Sequence, residues 1–490
     1  MGQLPALQII VPLMAAPLCA LLWRGWMAWL LAMLASVAAL VVAALLLQQT
    51  LDGEVIRYYL GGWEPPWGIE YRIDALNALV LLLVAGVGTM AMLHARVSLP
   101  AEVDEEKLPL TYAAYLLCLT GLLGIAITGD AFNVFVFLEI SSLSTYALVA
   151  QGRNRRALTA SYQYLIMGTV GATFILIGIG LLYVETGTLN MLDLHERIPG
   201  VEGTRTIRAG FAFLTVGISL KLALFPLHLW LPNAYAYAPS AIGAFLAGTA
   251  TKVAVYLLLR FFFTIFGAEF SFEVMDLDTI LLALALAGIF VTSTVAIFQD
   301  NVRKLLAYSS VAQIGYMILG VSFASAAGVM AAVVHFFNHG LMKGALFLAV
   351  GCVFYRVGSV KLERFAGLGW RMPWTMGAFV VGGVSLIGVP LTAGFISKWY
   401  LIQAALDAGM WPVALLVLVS SLLAVVYVWK VVEVAYFREA PADSTVTEAP
   451  LALLIPTWIL AGANLFFGIF PQLVTSGGRM AAQNLMGVMP

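Results

Sequence analysis

Runs of about twenty apolar residues recur from one end of this chain to the other, and nothing else in it constrains the fold as strongly. A transmembrane helix needs ~20 mostly apolar residues. Fourteen such runs can be drawn, at 5–23, 27–49, 74–94, 108–128, 131–150, 160–184, 207–227, 239–262, 277–298, 305–323, 327–355, 374–405, 411–437 and 451–471. The strict alternation of a membrane β-barrel is absent, so helices must satisfy the backbone inside hydrocarbon. The longest connections, 51–73, 95–107, 185–206, 263–276, 356–373 and 438–450, are each too short for a separate catalytic domain. The expectation is an all-α polytopic membrane protein with about 14 transmembrane helices. Only 10% of the 490 residues are charged, against about 25% in soluble domains, which excludes a soluble enzyme, a disordered chain and a nucleic-acid binder. The formal net charge of −1 gives no field to recruit a charged partner. Such a chain either moves something through the membrane or holds a membrane complex together.

Assigning alternate loops to opposite sides puts 13 Lys and Arg on one side (among them Arg24, Arg96, Arg153, Arg303 and Lys304) and 7 on the other (Arg57, Arg72, Arg197, Arg205, Arg208, Arg260 and Arg479). The positive-inside rule makes the first side cytoplasmic and places both termini outside. The first basic residue is Arg24, so the first run reads as a retained span rather than a signal peptide. Cys19, Cys118 and Cys352 lie in apolar stretches without a CxxC and read as packing residues. Asp74, Asp130 and Asp300 stand at the ends of runs and read as interfacial anchors or channel mouths, anchors being the simpler reading.

Seven charges fall inside the runs: Glu139, Lys221, Lys252, Lys343, Lys398, Lys430 and Glu433. A charge at the bilayer centre costs ~2.5–3.5 kcal/mol on insertion scales, so each needs a reason. Glu139 is flanked by Ser141, Ser142, Ser144 and Thr145, hydroxyls able to bond a carboxylate or a water chain; the alternative is a structural salt bridge. Lys221 is followed by Pro226 and Pro232, and proline breaks a helix. Broken membrane helices survive where they line a cavity or are buried in protein, and a lysine beside a break suits a proton site. Lys252 has Thr249 and Thr251 nearby and the small Ala247, Gly248 and Ala250, which permit close helix packing; no acid lies one turn away. His335, His339 and Lys343 share one helix face and span ~12 Å. Such a stripe suits a proton relay, because histidine titrates near neutral pH. A metal site is the rival for that stripe, but no third ligand is visible and Phe336 stands where an HExxH base would. Lys430 and Glu433, at i and i+3, either neutralise each other or take part in transport.

Lys398 follows Gly388, Pro390 and Gly394, which interrupt its run and repeat the pattern around Lys221. Two interrupted helices in corresponding places point to a repeat-built transporter. Runs four to eight and nine to thirteen are then two units, and five spans per unit requires them to be inverted. No P-loop, dinucleotide-binding glycine motif or nucleophile elbow is present.

The stretches FVFLEISSLSTYALVA, LKLALFPLHLWLPNAYAYAPSAIGAFLAGTATKVAVYLLLR, LLAYSSVAQIGYMILG and HFFNHGLMKGALFL resemble the proton-translocating antiporter module shared by Mrp-type multisubunit Na⁺/H⁺ antiporters, complex I and membrane-bound hydrogenases, over about residues 70–440. Within it, Lys398 is similar to the D-type subunit of Mrp antiporters or to the most membrane-internal antiporter-like subunit of complex I, the phrase FLEISSLSTYALVA and the tail WKVVEVAYF are most similar to the D-type subunit, and the short stretch after the fourteenth run speaks against the large antiporter subunit. The resemblance implies N-terminal helices in 1–107, a first five-helix repeat in 108–262, an inverted second in 277–437 and a last helix in 451–490, with the seventh and twelfth helices broken at Pro226 and Pro390. It implies a proton route from Glu139, paired with Lys221, through Lys252 and the His335, His339, Lys343 stretch to Lys398. It implies a transporter subunit without cofactor or metal, in a bacterial or archaeal cell membrane. The expected partners are other membrane subunits, protons, Na⁺ or another monovalent cation, and lipid. The alternative is a pumping membrane subunit of complex I or a hydrogenase-type complex, whose redox chemistry lies in other chains.

Overall fold

A computed structural model describes residues 2–51, 53–440 and 446–487. Part of the 438–450 loop and the last three residues of the expected 451–490 unit therefore lie outside the described residues. Helices α1 (Leu4–Ala20) and α2 (Gly25–Thr50) lead into an antiparallel hairpin of β1 (Ile56–Tyr59) and β2 (Glu70–Ile73), in which Ile56 faces Ile73 and Tyr59 faces Glu70. Then come α3 (Ala75–Glu102), α4 (Leu108–Ile127), α5 (Ala131–Ala150), α6 (Arg156–Thr186), the short α7 (Met191–Arg197), α8 (Arg205–Leu222), α9 (Trp230–Tyr237) and α10 (Ser240–Leu259). The second half holds α11 (Leu277–Ile297), α12 (Val302–Ser322), α13 (Ala326–Val357), the one-turn α14 (Leu368–Arg371), α15 (Pro373–Ile387), α16 (Ala393–Asp407) and α17 (Trp411–Phe437), followed by α18 (Leu451–Ile469) and α19 (Gln472–Met486).

Every one of the fourteen apolar runs is helical. Among the described residues, eleven helices are long and apolar enough to cross a membrane, and α1 and α15 are shorter apolar helices. The chain is thus a nearly all-helical, multi-pass membrane protein. The seventh run is interrupted between α8 and α9, where Ala223 takes a left-handed conformation (φ 60°) and Pro226 follows. The twelfth is interrupted between α15 and α16, where Gly388 (φ 93°) and Leu391 (φ 71°) flank Pro390. The C-terminal unit, expected as one helix, is two: Pro471 ends the first, and α19 packs back on α3 and α13.

Helix pairing repeats along the chain. In the first unit α5 packs on α4 and α6, and α6 on both α8 and α9; in the second α12 packs on α11 and α13, and α13 on both α15 and α16. At the centre stand α10, α12 and α13, whereas α2, α6, α11 and α17 present Leu30, Ile166, Ile280 and Leu422 outward, as lipid-facing helices do. Two glycines set the central crossing. A Cβ at Gly248 of α10 would meet Val87 Cγ1 at 2.6 Å, and one at Gly340 of α13 would meet the Gly248 carbonyl oxygen at 2.8 Å, so only bare backbone lets α10, α13 and α3 approach this closely.

Alternate loops gather at opposite ends of the bundle. One cavity is lined by Val55, Arg72, His195, Gly267 and Met486; another is lined by Arg156, Asn301, Lys304, Lys361 and Arg438. Below, the first is the hairpin end and the second the basic end. Four charges expected in loops or at run ends are instead buried in ion pairs. Asp74 caps α3 through the Leu76 and Asn77 amides and pairs with Arg260 at 2.7 Å. Glu102, at the other end of α3, lies 3.9 Å from Arg303. Asp74 is therefore not a free anchor, because its carboxylate is held by the cap and the guanidinium, at the inner end of the hairpin-end cavity. Asp130 caps α5 through the Asn133 amide, and Asp300 is exposed.

Candidate functional site

Lys221, Lys252, Lys343, Lys398, His335 and His339 fall into two groups. The first is formed by α5 and α8. Lys221, in the last turn of α8, donates to Ser142 Oγ at 2.8 Å. The expected direct pair with Glu139 is not formed within 4 Å among the described residues; Glu139 lies one turn from Ser142, within electrostatic reach of the lysine, and its buried Oε1 has no hydrogen-bond partner. Of the four hydroxyls around Glu139, Ser141, Ser144 and Thr145 bond the carbonyls of Leu138, Ile140 and Ser141 in their own helix. Two reach across to other helices: Thr145 Oγ1 lies 3.2 Å from Cys118 Sγ of α4, and Ser142 alone meets a charged group. A cavity of about 40 Å³ runs from Lys221 and Ser142 to Ala250, Val253 and Leu257 of α10.

The second group is formed by α10, α12, α13 and α16. Lys252 is fully buried and donates to the Ala247 carbonyl and, at 3.4 Å, to Thr251 Oγ1. It lies within electrostatic reach of His335, His339 and Lys343 across the glycine crossing. The His335 and His339 rings stack with centroids 6.0 Å apart and planes 4° from parallel, as the i, i+4 spacing on one helix requires. His335 Nδ1 is 2.8 Å from Ser397 Oγ, the neighbour of Lys398. Lys343 turns the other way, onto the Leu306 carbonyl (2.8 Å) and Ser309 Oγ of α12. Lys398 is held most fully: it donates to the Ile387 (2.8 Å) and Leu386 (3.3 Å) carbonyls freed at the end of α15 and to Ser421 Oγ (2.9 Å), with its ammonium 4.9 Å over the Tyr316 ring. A carboxylate partners none of Lys221, Lys252, Lys343 and Lys398 within 4 Å among the described residues; each is solvated by carbonyls and hydroxyls. Lys221 and Lys252 do not touch: the cavity beside Lys221 meets the opposite face of α10 from the one carrying Lys252.

The helical middle of the chain, residues 128–424, matches the family described as the transmembrane domain of NADH:quinone oxidoreductase and Mrp antiporters. The chain belongs to this family. It is 40% identical over 97% of its length to the N-type subunit of the NADH-quinone oxidoreductase of Desulforudis audaxviator, covering 97% of that protein. It is 29% identical to the D-type subunit of the Na⁺/H⁺ antiporter of Bacillus subtilis, over 99% of this chain and 98% of that one. Among solved structures, a chain of the Mrp complex from Dietzia superposes with a TM-score of 0.89 at 27% identity, over 99% of this chain and 98% of that one.

In this member of the Mrp and NADH:quinone oxidoreductase family, Lys430 and Glu433 do not neutralise each other. Lys430 donates to the Ile297 (2.9 Å) and Gln299 (3.1 Å) carbonyls at the end of α11 and lies 3.5 Å from Asp300, while Glu433 pairs with Arg438 at 3.1 Å. A lysine at a helix C-terminus complements the helix dipole, so these two residues fasten the basic end and are separate from the buried axis. Sequence reasoning finds α12 but misses its polar face. Ser309, Gln313 and Tyr316 recur there at i, i+4 and i+7, all buried, and present Ser309 to Lys343 and Tyr316 to Lys398 and, at 2.6 Å, to Ser420. That helical spacing within AYSSVAQIGYMI is the available signal.

Proposed function

We propose that the chain is the proton-translocating subunit of a multisubunit monovalent cation/proton antiporter, most simply Na⁺/H⁺, working with other membrane subunits that complete the cation path. The observation that carries this reading is the set of four spanning lysines that lie inside the bundle solvated by neutral dipoles, beside two buried histidines whose His335 Nε2 and both His339 ring nitrogens have no hydrogen-bond partner among the described residues. Charges this costly in a membrane are kept where they do work. The switch is at Lys221. A carboxylate close at hand favours the ammonium form of a lysine, and its withdrawal favours release of the proton. Lys221, resting on Ser142 beside Glu139, can move between the two oxygens. A proton leaving it enters the axis at Lys252, passes the His335 and His339 stack on the α13 face also carrying Lys343, and leaves by Lys398 toward a partner protein or an aqueous face. The membrane is a bacterial or archaeal cell membrane, with the basic end in the cytoplasm and both termini outside.

The test is Na⁺-dependent proton flux in everted vesicles. Lys221→Ala abolishes it on this reading, and normal flux in a correctly assembled variant overturns it. A second reading is favoured by the 40% identity to an NADH-quinone oxidoreductase chain: the same axis would then serve as a pumping arm of a redox complex. The proteins that co-purify with the chain discriminate, since small antiporter proteins accompany it in the first case and quinone- and cluster-binding proteins in the second.

A further inference from the structure

The two buried ion pairs outside the polar axis have a common geometry. Both begin on α3, one at each end of it, and each fastens one end of α10, the helix that carries Lys252. At the hairpin end, Arg260 Nη2 lies 2.7 Å from both Asp74 carboxylate oxygens and also donates to Asn77 Oδ1. At the basic end, Glu102 accepts from the Ser240 amide at 3.0 Å and lies 3.9 Å from Arg303, which itself donates to Ser240 Oγ and to the Ala238 carbonyl at 3.2 Å.

An open cavity reaches inward to each pair. At the hairpin end a 360 Å³ cavity lined by Arg72, His195 and Thr264 reaches Asp74 and Arg260. At the basic end a 410 Å³ cavity lined by Lys107, Arg153 and Arg155 reaches Glu102. Along α10, Arg260 lies eight residues beyond Lys252 and Ser240 twelve before it, so the pairs stand ~12 Å and ~18 Å from the central lysine. The intervening stretches offer no ready relay. Toward Arg260 the Tyr256 hydroxyl is saturated: it accepts from Asn77 Nδ2 (2.8 Å) and Arg260 Nε (3.3 Å) and donates to the Ala126 carbonyl (3.2 Å). Toward Ser240 come the fully buried Ile242, Ala244, Phe245 and Leu246; Thr249 bonds back to the Phe245 carbonyl and Thr251 sits beside Lys252 itself, while the buried His94 of α3, within electrostatic reach of Arg303, is engaged by Ser98. An arginine stays protonated at any working pH, and a fixed guanidinium in a narrow passage raises an electrostatic barrier to protons and cations.

We propose that Asp74–Arg260 and Glu102–Arg303 are the seals of the buried axis, each fixing a guanidinium, held in place by its carboxylate, between Lys252 and one aqueous face, so that protons enter and leave through the side elements and not straight along α10. This rests on the proton-carrying reading above. It differs from a purely structural role, because a clamp need not carry charge whereas a seal of this kind must.

The experiment uses the whole complex in proteoliposomes loaded with a pH dye and free of Na⁺, K⁺ and Li⁺ gradients. The collapse of an imposed pH difference is followed for wild type, for Asp74→Asn/Arg260→Gln, for Glu102→Gln/Arg303→Gln and for Arg260→Lys, each checked for co-purification of the partner proteins. Each doubly neutral variant is expected to leak protons ~10-fold faster than wild type, which corresponds to about 1.4 kcal/mol less barrier, and Arg260→Lys is expected to stay tight. Assembled neutral variants as tight as wild type overturn the proposal, and so does an Arg260→Lys variant that leaks as fast as Asp74→Asn/Arg260→Gln. Na⁺-driven flux in the same vesicles reports separately on the antiport reading: leaky neutral variants beside a wild type without Na⁺-driven flux sink that reading and leave the seals standing.

Discussion

The two interrupted helices solve one problem in opposite ways. In the first, the lysine precedes the break: Lys221 ends α8 and, among the described residues, holds a single hydrogen bond, to a serine on another helix. In the second, the lysine follows the break: Lys398 lies in α16 and folds back on the Leu386 and Ile387 carbonyls that the break sets free, with Ser421 as a third acceptor and Tyr316 over its face. The last carbonyls of a helix carry partial negative charge, so Lys398 rests on the broken end of its own run. Lys221 has no such seat, and its charge depends on Ser142 and the nearby Glu139. The same motif thus yields one lysine that is held and one that is poised, which is what the proposed switch at Lys221 and acceptor at Lys398 call for.

Three sets of substitutions probe this contrast. The largest effect falls on the second break. Gly394 lies where a Cβ would run into the Ser385 carbonyl oxygen, with Met342 Cε also at 2.9 Å. Gly394→Ala is expected to force α15 and α16 apart at a cost beyond the roughly 1–3 kcal/mol of ordinary overpacking. Blue-native gels should show loss of assembled complex, and a fully assembled variant would mean that the break tolerates spreading. Next comes a paired comparison. Ser142→Ala removes the hydrogen bond that Lys221 donates, worth about 1.5–3 kcal/mol for a charged donor; Ser421→Ala leaves Lys398 its two carbonyls. Proton flux should fall about tenfold or more in the first and about twofold or less in the second, a difference of the size a typical net hydrogen bond allows. Equal losses would erase the distinction between a held and a poised lysine. The smallest effect is at Ala223, whose φ of 60° is a conformation that glycine adopts freely. Ala223→Gly should raise the thermal stability of the complex by about 1 kcal/mol, read as a higher melting temperature, and a lowered one would show that the break needs the Ala223 side chain.

The helices were legible because insertion demands long apolar runs, which no other fold class writes into a sequence. The charged members of the axis were legible for the complementary reason, since a lysine in such a run is rare. Their neutral partners were not. Ser141, Ser142, Ser144 and Thr145 look alike in sequence, and serine and threonine in a helix commonly bond back to their own backbone; only the fold separates Ser142, which accepts from a lysine 79 residues away, from Ser141 and Ser144, which bond their own helix, and from Thr145, which also meets Cys118. Asp74 and Arg260 are separated by 186 residues, and each stands at the edge of an apolar run, where a loop charge and a buried pair read the same. The hairpin strands are four residues each, too short for alternation to register against the polar loop around them.

The fastening of α10 at both ends has a mechanical consequence. A helix tied to its neighbour at its first residue and again just past its last cannot slide as a piston or tilt as a lever without opening a buried ion pair, and bare backbone contact at Gly248 leaves no clearance at its waist. Lys252 therefore stands on a fixed post. Whatever passes from the Lys221 side of the molecule to the Lys398 side must be relayed past it by side-chain swings and the field between charges, with the central helix acting as frame and the moving parts confined to the tips of side chains.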